Sequence, residues 1–281
     1  MCLIESTVAS WLAVAAMSEA ADRKTAWENG YEPAHAEIFN IYYEGWGSPN
    51  KRGDSAAMAP GLMDVVRERE HRATEVLSAV QADLTDRGLL TAPAQVVIMV
   101  GVGSSNGWTT TYRGEPTLFL ALEVFPDPPF DRVLIAHELI HLAQARNAGD
   151  GPDRVDCNIF AEGLAVVGSR YVCPDLSPSA YLWFDENHHD WVRECAESRP
   201  QLLTMVAKHI ETTDSPNDVR VIFSFDPQHR LPDRFGYWLG AELINDLQHG
   251  GGSLADLVAL PQPRVTDIVR TWINDQSQHS H

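Results

Sequence analysis

Between residues 95 and 124 the chain leaves the helical spacing that marks the sequence on either side. That switch does most to limit what it can fold into. Residues 95–102 (QVVIMVGV) are uncharged and rich in β-branched side chains, which predicts a buried strand. Residues 103–107 are a Gly/Ser/Asn turn. Residues 108–112 (WTTTY) and 117–124 (TLFLALEV) predict two more strands, a hairpin around Gly114, and FPDPPF at 125–130 ends the region. Strands that cluster rather than alternate with helices predict an α+β fold, here with a small, mainly antiparallel sheet.

The flanks are helical. Upstream, residues 3–28 and 33–43 predict helices, and residues 40–54 carry the Gly/Pro/Asn content of a loop. A long helix over 60–86 follows from the spacing of Leu62, Val65, Val66, Val76, Leu77 and Val80, with Gly88 as its C-cap. Downstream, helices are predicted at 131–147, 156–171, 185–197, 200–210, 232–248, 253–260 and 265–273. Asp131 and Asp156 would be N-caps and Gly149 a stop. The expected organisation is an N-terminal helical region, 1–90, without assigned role, and a core over 91–281. That core holds the sheet (95–124) and a large C-terminal helical lobe (131–274).

Residues 137–141 read His-Glu-Leu-Ile-His, inside a stretch free of Pro and Gly. Helix positions four apart share a face, so His137 and His141 can direct imidazoles at one metal ion, and Glu138 can reach a water on it. This pattern points to a zinc (Zn2+) hydrolase. A catalytic zinc takes three protein ligands and keeps one position for water. Glu162, in NIFAEGLA, is the candidate third ligand, since the 20 intervening residues allow a turn at 148–152 and an antiparallel return. A carboxylate in so apolar a stretch needs a cation or partner. The small residues Ala161, Gly163, Ala165 and Gly168 would let that helix approach the His137 helix closely. Asp156 is the other candidate.

HELIH followed by AEGLA resembles the glutamate-zincin (gluzincin) group, which includes thermolysin and aminopeptidase N. It is more similar still to an uncharacterised bacterial family of predicted zinc-dependent proteases. In that family a strand pair precedes an Ala-His-Glu helix, an EGLA helix follows, and a late helix carries a Gly-Tyr-x-x-Gly element. The corresponding stretches here are Ala136-His137-Glu138, Glu162-Gly163-Leu164-Ala165 and Phe235-Gly236-Tyr237-Trp238-Leu239-Gly240, and the likeness runs over about residues 95–260. The resemblance implies a zincin-like fold, zinc held by His137, His141 and Glu162, and Glu138 as general base. It also makes Tyr237 the best candidate for steadying the oxyanion, with His188 and His189 as rivals and a core aromatic as the plain alternative.

On this reading zinc acidifies its bound water, and Glu138 takes the proton and delivers it to the leaving amine. The strand at 117–124 would be the edge that pairs with an extended peptide. Glu123 near its end could hold a substrate amine, although the aminopeptidase strand motif Gly-x-Met-Glu-Asn does not occur. Asn158 could support the metal site from one turn away.

With 21 basic and 39 acidic residues the net charge is −18, which disfavours nucleic acid and anionic membranes as partners. The apolar run at 8–17 follows Glu5 and no basic residue, so the expectation is a cytoplasmic chain without a signal peptide. Cys2, Cys157, Cys173 and Cys195 show no metal or redox spacing. Reduced thiols are expected, with a Cys173–Cys195 bridge as the alternative in an exported protein. The leading expectation is a zinc metallopeptidase acting on a peptide or protein substrate. A zinc enzyme for a non-peptide amide, and a non-catalytic protein stabilised by zinc, are the alternatives, and the oligomeric state is open.

Overall fold

The structure, a computed structural model, describes residues 2–148, 154–213, 220–226 and 230–278. The Gly149 stop therefore lies outside the described residues. Among them the strands β1 (Leu3–Ser6), β2 (Gln95–Met99), β3 (Gly107–Tyr112) and β4 (Glu115–Ala121) form one sheet in the order β1-β2-β4-β3. β2 is parallel to both neighbours and only β3–β4 is antiparallel, so the sheet is mixed rather than mainly antiparallel. The hairpin around Gly114 is present, with Gly114 at φ +83°, a conformation that suits glycine. Two further expectations are corrected. Residues 3–6 form an edge strand, not the start of a helix, and β4 is interior, leaving β3 as the second edge.

The chain divides into two compact units, residues 1–82 with 92–138 and residues 83–91 with 139–281. The first unit surrounds the sheet with α1 (Val8–Ala15), α2 (Ala20–Ala26), a π-helical turn (Trp27–Tyr31), α3 (Glu32–Ala34), α4 (Ala36–Gly45) and most of α5 (Arg52–Asp86). Its core is built on the fully buried Trp11, Trp27, Tyr31, Tyr42, Phe119 and Phe125.

α5 starts eight residues before the predicted position and carries Pro60 inside it. Proline has no N–H for the carbonyl four residues back. That carbonyl, on Ala56, instead accepts the Nε–H of buried Arg23 at 2.9 Å, so the helix continues through the proline. At the other end Gly88, at φ +71°, caps the helix as expected: Gly88 N–H bonds the Thr85 carbonyl and Leu89 N–H the Leu84 carbonyl, both at 2.9 Å.

Arginines of α5 hold the segment that leads from β4 into α6 (Phe130–Ala148). Arg69 donates to the Leu122 and Glu123 carbonyls at 2.9 and 3.1 Å. Arg72 donates to the Pro126 carbonyl at 3.0 Å and pairs with buried Asp131 at 3.1 Å. Asp131 lies within the first turn of α6 rather than capping it.

The second unit is helical: the end of α6, then α7 (Val155–Val172), α8 (Pro178–Trp183), α9 (His189–Glu197), α10 (Arg199–His209), α11 (Phe235–His249), α12 (Leu254–Val258) and α13 (Gln262–Gln278). α8 was not foreseen, and α9 starts four residues later than expected. α7 is buried along most of its length, which explains why its sequence is apolar on nearly every face. Its small residues serve two neighbours rather than one. A Cβ on Gly163 would lie 2.2 Å from the Gly240 carbonyl of α11, whereas one on Gly168 would meet the Ile140 side chain of α6 at 2.6 Å.

All four cysteines are buried and unbridged, so the Cys173–Cys195 bridge is not formed. Burial pushes the Cys157 thiol up to about 12, which makes it inert as a nucleophile. No described helix is long and apolar enough to cross a membrane.

Candidate metal centre

α6 is helical without interruption through HELIH, so His137 and His141 stand one turn apart on one face. His137 and Glu138 are buried, while His141 and Glu162 are half-buried. The ligand atoms of His137, His141 and Glu162 all lie within 4.8 Å of one another, and His141 Nε2 is 3.4 Å from Glu162 Oε2. Tetrahedral zinc with N and O ligands at about 2.0–2.2 Å sets those atoms roughly 3.3–3.6 Å apart. Two imidazoles and a carboxylate are a donor set that zinc accepts, and the His141–Glu162 separation falls in that range.

Glu138 sits beside this group without belonging to it. Its carboxylate Oε2 lies 3.3 Å from the Thr109 hydroxyl on β3, and its carbonyl oxygen lies 3.0 Å from the same hydroxyl. A hydroxyl carries one proton, so the two contacts alternate. β3 passes directly alongside: a Cβ added to Gly107 would touch the Glu138 Cγ at 3.4 Å. Thr109 and Gly107 were not picked out from the sequence. Local sequence offers little signal for either: they lie on the face of β3 opposite the buried Trp108 and Tyr112, and the edge placement of that strand could not be read locally.

Among the other candidates, Tyr237 is half-buried on α11, one turn before Gly240, the residue that touches Gly163 beside Glu162. The Tyr237 ring meets Phe223 at 6.3 Å and the Arg234 guanidinium at 4.5 Å. His188 is held by Asp185 at 2.7 Å and stacked on Trp183 at 4.0 Å, and His189 is exposed beside Glu186; neither belongs to the donor group. Asp156 is fully buried, paired with Arg154 and accepting the Cys157 N–H at 2.9 Å, so it is engaged away from the group and is not an N-cap. Asn158 is half-buried on α7, one turn before Glu162.

The amine-binding role considered for Glu123 is corrected. Glu123 lies in a 3-10 turn after β4, where its two carboxylate oxygens accept the Gly101 and Gly103 N–H groups, each at 2.9 Å. Burial holds its carboxyl above the usual range, against the opposing pull of these amides. Glu123 thus pins the loop that leads from β2 to β3. Glu123→Gln sets an NH2 donor against one of the two backbone donors. The expected result is a loss of about 1–3 kcal/mol in stability, with faster amide exchange at Gly101 and Gly103. Wild-type exchange at both amides would show that the clamp is not formed in solution.

Comparisons with protein-family models, with curated proteins and with solved structures return no match.

Proposed function

We propose that the chain is a zinc-dependent hydrolase of gluzincin type that cleaves peptide bonds. The observation that carries this reading is the donor group, with His141 and Glu162 at 3.4 Å and all three ligand atoms within 4.8 Å. Zinc held there would supply a Lewis acid that acidifies water and polarises a carbonyl. Glu138 takes the proton of the attacking water and hands it to the leaving amine, with the Thr109 hydroxyl fixing its position. Tyr237 donates to the developing oxyanion.

The edge strand β3, bonded to β4 on one side and beside Glu138 at Gly107, supports an extended peptide as substrate, added as a further strand. This favours peptides over a compact non-peptide amide. A closed structural zinc normally has four protein ligands, so the group of three found among the described residues, with an acid beside it, favours catalysis over a structural role. The buried, unbridged thiols and the net charge of −18 fit a cytoplasmic protein that avoids nucleic acid and anionic membranes.

Two measurements test the reading. Elemental analysis of the purified protein should give about one zinc per chain. The zinc-loaded protein should cleave members of a peptide library, with loss on chelation and recovery on adding zinc. A protein that takes up no zinc, or that binds zinc and cuts no peptide in the library, overturns it.

A further inference from the structure

Among the described residues, no carboxylate pairs with Arg234. It stands just before α11 in left-handed backbone, at φ +60°, which is uncommon for a residue with a side chain. Its guanidinium lies over the rings of Trp183 and Tyr237, 4.5 Å from each centroid. Among the described residues it has no ion-pair partner, in a chain with 39 acidic residues against 21 basic ones. Asp233, its chain neighbour, and Asp185, two residues from Trp183, each hold another group. Asp185 holds His188 at 2.7 Å, and Asp233 accepts the Asp226 N–H at 2.8 Å. Cation–π contact stabilises the charge but satisfies none of the five guanidinium N–H donors. A half-buried guanidinium with open donors is matched by a planar anion that accepts two parallel N–H bonds.

The surroundings narrow the ligand further. Phe225, 57% exposed, packs its ring 5.8 Å from Trp183, and Phe223 packs against Tyr237. The Trp183 indole N–H is buried without a hydrogen-bond partner among the described residues. An anion bound here would be flanked by aromatic walls and offered a second donor. Arg234 immediately precedes the helix that crosses beside Glu162. Arg234, Tyr237 and Gly240 stand on successive turns, and Gly240 touches Gly163, the neighbour of Glu162. At 1.5 Å per residue, Arg234 lies about 9 Å along the axis from Gly240. An extended peptide covers that span in about three residues.

We propose that Arg234, set between Trp183 and Tyr237, binds a carboxylate of the substrate within about three residues of the cleaved bond. The carboxylate is either the peptide's C-terminus or an acidic side chain. The identification of the ligand as substrate rests on the hydrolase reading; the carboxylate site itself does not.

The test is binding, so that it stands apart from hydrolysis. Three probes are titrated calorimetrically into the full-length protein: N-acetylphenylalanine, its neutral amide, and N-acetylaspartyl-phenylalaninamide. Wild type is expected to bind at least one acidic probe about 10- to 100-fold tighter than the neutral amide, the range for a bond to a charged group. Preference for the first acid identifies a C-terminal carboxylate, and preference for the second an acidic side chain. Arg234→Gln should abolish the preference, and Arg234→Lys, which keeps charge but not the fork, should retain part of it. If the glutamine variant does not fold by circular dichroism, the lysine variant carries the comparison. Equal affinity of wild type for all three probes overturns the proposal, as does an unchanged preference in a folded variant. Absence of peptide cleavage, by contrast, would count against the hydrolase reading alone.

Discussion

Glu138→Gln is expected to leave zinc content at about one per chain and to lower peptide hydrolysis by about 10²- to 10⁴-fold, the usual contribution of a positioned general base. Glutamine has the shape of glutamate and can still accept the Thr109 hydroxyl, which lies 3.3 Å from Oε2. The buried packing beside Gly107 is therefore kept. What is lost is a group able to take a proton from water. Because Glu138 lies outside the donor group of His137, His141 and Glu162, the metal should stay. The informative contrast is Glu162→Gln, which removes an anionic ligand and should cost metal affinity first and activity as a consequence. Thr109→Val should have a smaller effect than either, because the hydroxyl positions Glu138 without exchanging protons. Hydrolysis within tenfold of wild type in Glu138→Gln would remove the residue from the proposed mechanism. Loss of zinc in that variant would instead make Glu138 part of the metal site.

How much of this was legible in sequence follows from the range over which each feature is determined. The pair His137 and His141 is set by helical spacing within five residues, and Glu162 by the next helix, so the three donors could be named before any coordinates. The strand β1 could not. It is four residues long, too short for a period to register, and its partner Gln95–Met99 lies some ninety residues away. The start of α5 was hidden by Pro60, whose missing bond is compensated by Arg23, 33 residues from Ala56. Strand order was also invisible: local alternation marks strands 107–112 and 115–121 equally well but does not say which one faces outward. The edge was therefore assigned to residues 117–124, when β3, nearer to Glu138, holds it. Glu123 misled for a related reason, since a carboxylate at the end of a strand looks available until the backbone amides it holds are known.

The second large effect is expected at the crossing of α7 and α11. Gly163 and Gly240 allow the two backbones to touch: a Cβ on Gly240 would fall 2.2 Å from the Ile159 carbonyl, and one on Gly163 2.2 Å from the Gly240 carbonyl. Neither neighbour is a side chain that can rotate away, so an added methyl must push the helices apart. Alanine in place of glycine favours a helix by about 1 kcal/mol, and overpacking costs about 1–3 kcal/mol or more when only backbone can yield. Sterics win here, and Gly240→Ala and Gly163→Ala should each lower the thermal midpoint by several degrees, at about 2–4 °C per kcal/mol for a chain of 150–250 residues. Gly168→Ala is the control. Its obstacle is the Ile140 side chain at 2.6 Å, which can change rotamer, so the loss there should be smaller. The same displacement moves Glu162, the neighbour of Gly163, so the two severe variants should also bind zinc more weakly than Gly168→Ala does. Equal thermal midpoints for all three alanine variants would mean that α7 and α11 do not approach this closely, and would remove the geometric link between Glu162 and the helix that carries Tyr237 and follows Arg234.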